Sequence, residues 1–406
     1  MQHNDCDDEE EDGLPQLTMR TLRLDFFEFE DHGWISYFAR KYPCLTTLDW
    51  QFRLANVITP SHLLERAEDT KNAFMSIPQH CRQLQSLTFK NLEEGFWPGK
   101  EFFEGMGGLH TIQLMFSTTI PDRRGMTKEV FDAMLQQNQA ALSVLHIPVW
   151  LNARVADMLQ SIGRCSHLVE LELANDDYRS FFSREIDLDM LLGHCKRLKR
   201  LTLIRGAVVV GPGYSVQPYP SLTQLALILV RFSPDVFSYL SKRCPNLCDM
   251  RIRNCSWISP DPNLTINMPN HAFNTFKIEQ VSRLQENGGF HIGYEATIVK
   301  LTLLDKIQNI RRRRKMAIEE ASLARWYHLH IAENLSRIPL VLGRLQPRQI
   351  AELHMYRGMA MPTNLPQRST PHARRKEWIY DIPYGYIAIR CKSINRFTMD
   401  IITLKY

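Results

Sequence analysis

The nonamer Cys195-Lys196-Arg197-Leu198-Lys199-Arg200-Leu201-Thr202-Leu203 decides how this chain folds. Leu201 and Leu203 alternate with polar residues, so both point to one face of a short strand, and Leu198 sits at the bend leading into it. Any buried strand can look like this once. Here the pattern returns along the whole chain. The same three apolar positions fall on Met19/Leu22/Leu24, Leu45/Leu48/Trp50, Leu84/Leu87/Phe89, Leu109/Ile112/Leu114, Leu142/Leu145/Ile147 and Leu168/Leu171/Leu173 ahead of it. Behind it come Leu222/Leu225/Leu227 and Leu247/Met250/Ile252, then weaker copies at Phe273/Phe276/Ile278, Ile298/Leu301/Leu303, Trp326/Leu329/Ile331 and Ile350/Leu353/Met355.

The thirteen central residues lie 24 to 39 positions apart. Most steps fall in the roughly 20–29 residues of a leucine-rich repeat, and the longer ones read as loop insertions. Between the strands, Val130/Phe131/Met134/Leu135, Val155/Met158/Leu159/Ile162 and Val236/Phe237/Leu240 have the spacing of helices that bury one face. Each repeat is then a strand, a turn and a helix, too small to enclose a core without its neighbours. The expected fold is an α/β, right-handed leucine-rich-repeat solenoid over residues 14–356, a horseshoe with strands on the concave face and helices on the convex face. Ile204–Tyr219, rich in glycine and proline, reads as a loop. Residues 357–383, with several prolines and Arg374-Arg375-Lys376, read as a basic exposed loop, and residues 384–406 as a terminal β-hairpin cap built from Tyr384–Ile389 and Ile394–Ile402.

Composition narrows the function classes. No apolar run approaches the length of a membrane helix, and the N-terminus lacks a signal-peptide pattern, which points to cytoplasm and/or nucleus. Residues 1–13 hold seven acidic side chains, Asp5, Asp7 to Asp12, and are expected to form a solvated, disordered tail or a docking peptide for a basic partner. Arg311-Arg312-Arg313-Arg314-Lys315 is either a solvated helix face or a nuclear-import signal. The net charge of +5 is small for 406 residues, and the basic runs lack interleaved aromatics, so nucleic acid is not the expected partner. Of nine cysteines, Cys81, Cys165, Cys195 and Cys244 each stand three residues before a first repeat leucine, and Cys255 stands three after Ile252. Such periodic placement describes one small buried niche per repeat, with reduced thiols, and not a disulfide scaffold.

The Cys-x-x-Leu-x-x-Leu-x-Leu form, at Cys165–Leu173, Cys195–Leu203 and Cys244–Ile252 with Cys255, resembles the cysteine-containing leucine-rich repeats of the F-box protein family. That resemblance implies a substrate receptor of an SCF-type ubiquitin ligase, in which an F-box binds the adaptor and the repeats hold a protein substrate. Leu14-Pro15 is similar to the start of an F-box, but Met19–Leu24 already reads as a repeat strand. Adaptor and cullin are therefore expected as partners only if a longer product supplies the F-box. A stand-alone intracellular scaffold, inhibitor or GTPase regulator is the alternative.

No nucleophile elbow, phosphate loop, dinucleotide fingerprint or zinc-protease motif occurs, so the expectation is binding without catalysis and without a cofactor. Exposed strand positions would form columns that a partner reads across repeats. Arg200, Arg251, Arg253, Lys277 and Lys300 make the C-terminal half of that face basic, with Asp249 and Glu279 as the exceptions, and suit an acidic or phosphorylated protein segment. His330 and His354, which fall in one column near His328, complete the partner-binding positions expected on the concave face; three imidazoles also suit zinc, but with no carboxylate placed behind them no metal is assigned. Trp97 is either an interface anchor or tucked against its own helix.

Overall fold

The computed structural model describes residues 18–27, 33–52, 71–92, 98–116, 126–149, 155–175, 185–214, 217–287, 290–308, 324–331, 340–355 and 378–406. The acidic residues 1–13, Trp97, Arg311–Lys315 and Arg374–Lys376 lie outside them. The chain divides into two compact units, Met1–Tyr178 and Arg179–Tyr406, each mixed α/β with parallel strands.

In the first unit, β1 (Thr21–Phe27), β2 (Thr47–Phe52), β3 (Ser86–Leu92), β4 (Thr111–Phe116), β5 (Val144–Val149) and β6 (Glu170–Asn175) pair in chain order, all parallel. The register aligns the central repeat residues as one row, Leu22, Leu48, Leu87, Ile112, Leu145 and Leu171, and all are buried. Each such side chain contributes about 1.5–3 kcal/mol by leaving water. The intervening helices are α1 (Gly33–Lys41), α2 (Ser76–His80), α3 (Lys100–Glu104), α4 (Lys128–Asn138) and α5 (Val155–Ile162). Helix α4 shows why they form: the Thr127 hydroxyl accepts the Val130 N–H at its start, and Phe131, Met134, Leu135 and Asn138 bury one stripe.

The second unit opens with β7 (Glu185–Asp187) and α6 (Leu188–His194), whose N-cap Asp187 accepts the N–H groups of Asp189 and Met190. Its main sheet contains β8 (Arg200–Ile204), β10 (Gln224–Ile228), β12 (Asp249–Arg253) and β14 (Leu264–Glu279), again parallel and in register. Helix α7 (Asp235–Arg243) lies between β10 and β12 in the chain.

A second sheet went unread in the sequence. Just after the main strands come β9 (Ala207–Val209), β11 (Arg231–Phe232), β13 (Ser256–Ile258) and β15 (Ser282–Asn287), which pair in parallel with β7 and one another, and β16 (Phe290–Glu295) closes this sheet antiparallel to β15. The Ile204–Tyr219 segment is thus corrected: it holds β9. At each corner one residue adopts positive φ, at Arg205 (63°), Leu229 (57°), Asn254 (52°) and Gln280 (49°). The first three donate their N–H to Ile228, Arg253 and Glu279 carbonyls at 2.8 Å, and Gln280 donates to the Asp400 carboxylate at 2.9 Å. Three of these four residues are types for which the left-handed conformation is costly, so the corner hydrogen bonds must offset that cost.

The cysteine niches repeat in detail. The N–H groups of Cys81, Cys165, Cys195 and Cys244 close the ends of their helices on Ile77, Ile162, Leu191 and Leu240, and each cysteine carbonyl accepts the N–H of the repeat leucine three residues on, at 3.1 Å in all four. Burial pushes the Cys81 and Cys165 thiols up to about 11 and Cys244 and Cys255 up to about 12. The eight cysteines among the described residues are free thiols.

Two C-terminal readings are corrected. Ile350/Leu353/Met355 is not a strand but helix α8 (Pro347–Met355). Pro347 takes the first helical position, where its missing N–H costs nothing, and the Gln349 side chain reaches back to the Gln346 N–H at 2.8 Å. Ile350 and Leu353, one turn apart, pack with Ile298, Trp326, Leu345 and Trp378. The two runs read as a hairpin cap form instead one 14-residue strand, β20 (Tyr386–Met399). It inserts between β14 and β17 (Ile298–Leu303), parallel to both, because its alternating Ile387, Ile389 and Cys391, then Phe397 and Met399, match β14 on the buried face. The true hairpin follows it, with β21 (Ile402–Lys405) antiparallel to β20. The sheet ends with β18 (Arg325–Ile331) and β19 (Leu340–Arg344), both antiparallel, so the Trp326/Leu329/Ile331 copy leaves the parallel progression.

Candidate functional site

On the face of the second unit's main sheet opposite the buried leucines, strand register decides which sequence candidates meet. Arg251 and Lys277 are direct cross-strand neighbours, as are Arg253 and Glu279. Glu279 gathers all three cations: Lys277 Nζ lies 2.5 Å from Oε1, and Arg253 Nε and Arg251 Nη2 lie 3.1 and 3.3 Å from Oε2. The arginines remain 39% and 48% exposed while the glutamate is only 15% exposed, so the carboxylate forms the floor and the guanidinium groups the rim. Burial works to raise the Glu279 carboxyl, but Lys277 and then Arg251 outweigh it and hold it below the usual carboxylate range.

The strand insertion at the C-terminus enlarges this group. Asp249, Thr275, Arg396 and Lys405 occupy one row across β12, β14, β20 and β21, which puts Arg396 and Lys405, both exposed, on the Arg251 face. Sequence reading missed them because it treated residues 384–406 as an end cap; alternation of apolar and polar residues through 386–399 was the available signal. This sheet face therefore carries five cations, Arg251, Arg253, Lys277, Arg396 and Lys405, and two carboxylates, Asp249 and Glu279, with Arg396 and Lys405 in the Asp249 row about 13 Å along the strands from Glu279. Arg200 lies in the same row as Asp249, two strands away through Gln224.

The remaining candidates lie elsewhere. Lys300 pairs with Ala388 while Lys277 pairs with Thr398, ten residues farther along β20, about 33 Å at strand rise. Its ammonium sits 5.2 Å over the Trp326 ring instead. His330, on β18, stacks on His328 at 5.3 Å. His354 is on α8, so the shared column with His330 does not exist. His328 is buried at 2.9 Å from Asp381 Oδ2, which also accepts the Thr297 hydroxyl at 2.6 Å. Both groups converge on one carboxylate oxygen, an arrangement that ties the 3-10 helix Trp378–Tyr384 to the sheet and offers no activated nucleophile. No group of three His, Cys, Asp or Glu among the described residues could hold a metal ion.

The first unit's equivalent face is mixed in charge. Asp49 joins Lys90 at 3.1 Å and Arg23 at 3.8 Å, and His146 meets Glu170 at 3.1 Å. Burial raises the Glu172 carboxyl, His146 opposes that, and Glu170 adds to it. No helix among the described residues is long and apolar enough to cross a membrane.

No protein-family model matches the chain, and no curated protein matches it. Among solved structures it is similar to a chain of the Rad7–Elc1 complex from yeast, at 14% identity and TM-score 0.36, over 63% of this chain and 69% of that one. It is also similar to a chain of the Toll–Spatzle complex of Drosophila, at 14% identity and TM-score 0.28, over 68% of this chain and 49% of that one.

Proposed function

We propose that the chain is a protein-recognition module, a right-handed leucine-rich-repeat solenoid of the F-box type that serves as the substrate-binding part of an SCF ubiquitin-ligase receptor. The four hydrogen-bonded cysteine corners support the repeat type. The observation that carries the binding role is the cationic group around Glu279, where strand register brings Arg251, Arg253, Lys277, Arg396 and Lys405 onto one exposed face. Parallel strands about 4.8 Å apart present such a face to an extended peptide lying across them. The partner is an acidic or phosphorylated segment, gripped by arginine forks. Adaptor and cullin join when a longer product carries the F-box.

The test is affinity capture with the tagged chain and with any longer product of the locus, each as wild type and as Arg251→Glu/Arg253→Glu. Loss of the captured substrate on charge reversal, with adaptor and cullin recovered only by the longer product, is the expected result. Unchanged substrate capture by the reversed variant refutes the surface. Absence of adaptor and cullin from both products refutes the ligase role and leaves a stand-alone scaffold.

A further inference from the structure

A second cationic group, distinct from the Glu279 face, lies where β18, β19, the helical segment 304–308 and the C-terminal Tyr406 meet. Lys306 Nζ sits 4.7 Å and Arg325 Cζ 5.6 Å from the Tyr406 ring centroid. Arg344 is the direct cross-strand partner of Tyr327, and its charge acts on Tyr406 as Arg325's does. Unlike the cations around Glu279, these three have no carboxylate partner among the described residues; Asp305, next to Lys306 in sequence, acts instead on Cys391. The lysine feels the consequence, since burial first and the Arg325 charge second lower it from the usual lysine range.

The second observation is a hydrogen-bond count. The Tyr406 and Tyr327 hydroxyls bond each other at 3.0 Å, and Tyr327 is only 7% exposed. Two hydroxyls carry two protons and one bond uses one, so the other has no protein acceptor among the described residues. A nearly buried O–H donor beside three cations that have no carboxylate within 4 Å among the described residues is what an oxyanion site supplies, with charge on several sides and one neutral donor that aligns an oxygen.

We propose that Lys306, Arg325, Arg344 and the Tyr327–Tyr406 hydroxyl pair form an oxyanion-binding site that takes a phosphate group. No bond is made or broken there; the site holds the anion. The ligand is inorganic phosphate or the phosphate of a modified residue, which share the recognised chemistry. Two probes separate them: inorganic phosphate and a short phosphoserine peptide, each titrated into the full chain by calorimetry in chloride of matched ionic strength. Wild type, Arg344→Gln, Tyr327→Phe and Arg251→Glu/Arg253→Glu are compared, after circular dichroism shows that each is folded. Arg344 is exposed, so its replacement leaves the fold intact. The expected result is saturable binding of at least one probe that the Arg251/Arg253 variant retains, weakened about tenfold or more by Arg344→Gln and less by Tyr327→Phe; the reversal removes only peptide bound at the Glu279 face. Absence of saturable binding in wild type, or equal binding in Arg344→Gln and Tyr327→Phe, overturns the proposal. Loss only in the Arg251/Arg253 variant also overturns it, by assigning phosphate to the other face.

Discussion

Replacing Glu279 by glutamine should move stability and partner affinity in opposite directions. Glu279 holds Lys277, Arg253 and Arg251 at 2.5, 3.1 and 3.3 Å. Pairs this exposed are each worth about 0.2–1 kcal/mol, and because both arginines are more than one-third exposed the sum is discounted to about 1–2 kcal/mol. The same carboxylate repels any anion that the cations bind. At about 6 Å in water-like screening, one unit charge costs the ligand roughly 0.7 kcal/mol and a phosphate about twice that, cut further by salt. Glu279→Gln is therefore expected to lower unfolding free energy by about 1–2 kcal/mol while tightening an anionic peptide about three- to tenfold at low ionic strength. Urea denaturation reads the first effect and fluorescence anisotropy of a fixed-phosphoserine degenerate peptide library the second. The acid limb adds a check of sign. A carboxyl held below its unfolded value of about 4.3 stabilises the fold above that pH and loses its contribution as pH falls through the folded value, so the variant should show a flatter stability curve below about pH 4.3. Weaker peptide binding in Glu279→Gln would refute the reasoning, since it would make Glu279 an organiser of the cations and not their competitor.

Three further outcomes test the architecture. Gly385 has φ of 84°, and a Cβ there would lie 1.9 Å from the Pro262 carbonyl oxygen, so Gly385→Ala should cost more than the roughly 1–2 kcal/mol of the left-handed conformation alone, read by urea denaturation; a loss under about 1 kcal/mol would contradict the contact. Asp381→Ala leaves the buried Thr297 hydroxyl and His328 ring without their shared acceptor, and should destabilise the second unit by about 3–5 kcal/mol, with hydrogen exchange increased first in β17 and β18. The thiols raised to about 11 at Cys81 and about 12 at Cys244, Cys255 and Cys391 stabilise the fold below the unfolded thiol value of about 8.5 and lose that contribution as pH rises through the folded values. Stability should decline from about pH 8.5 upward, and Cys244→Ala should flatten the decline; a thiol reagent that labels native Cys244 quickly at pH 8 would contradict its burial.

The repeated leucine triplets and their cysteines alone determined the parallel strands β1 to β6, β8, β10, β12 and the end of β14, together with the thiol niches. These features are local: an alternating apolar pair needs a buried face, and the same small side chain at each helix end recurs wherever the same corner recurs. Arg251 and Lys277 were legible as neighbours for that reason, one repeat apart in one column, with Arg253 two residues along the strand from Arg251. Only tertiary structure decided the rest. Helix α8 carried its own signal in Gln346, Pro347 and Gln349, yet its Ile350 and Leu353 suit either a strand or a helix until Trp326 and Trp378 pack against them. Lys300 left the cationic group because β20 inserted beside β14, and the same insertion brought Arg396 and Lys405 in. Pairing between β14 and β20 joins residues more than 120 positions apart, and no local periodicity encodes which distant edge a strand will choose when several apolar edges accept it.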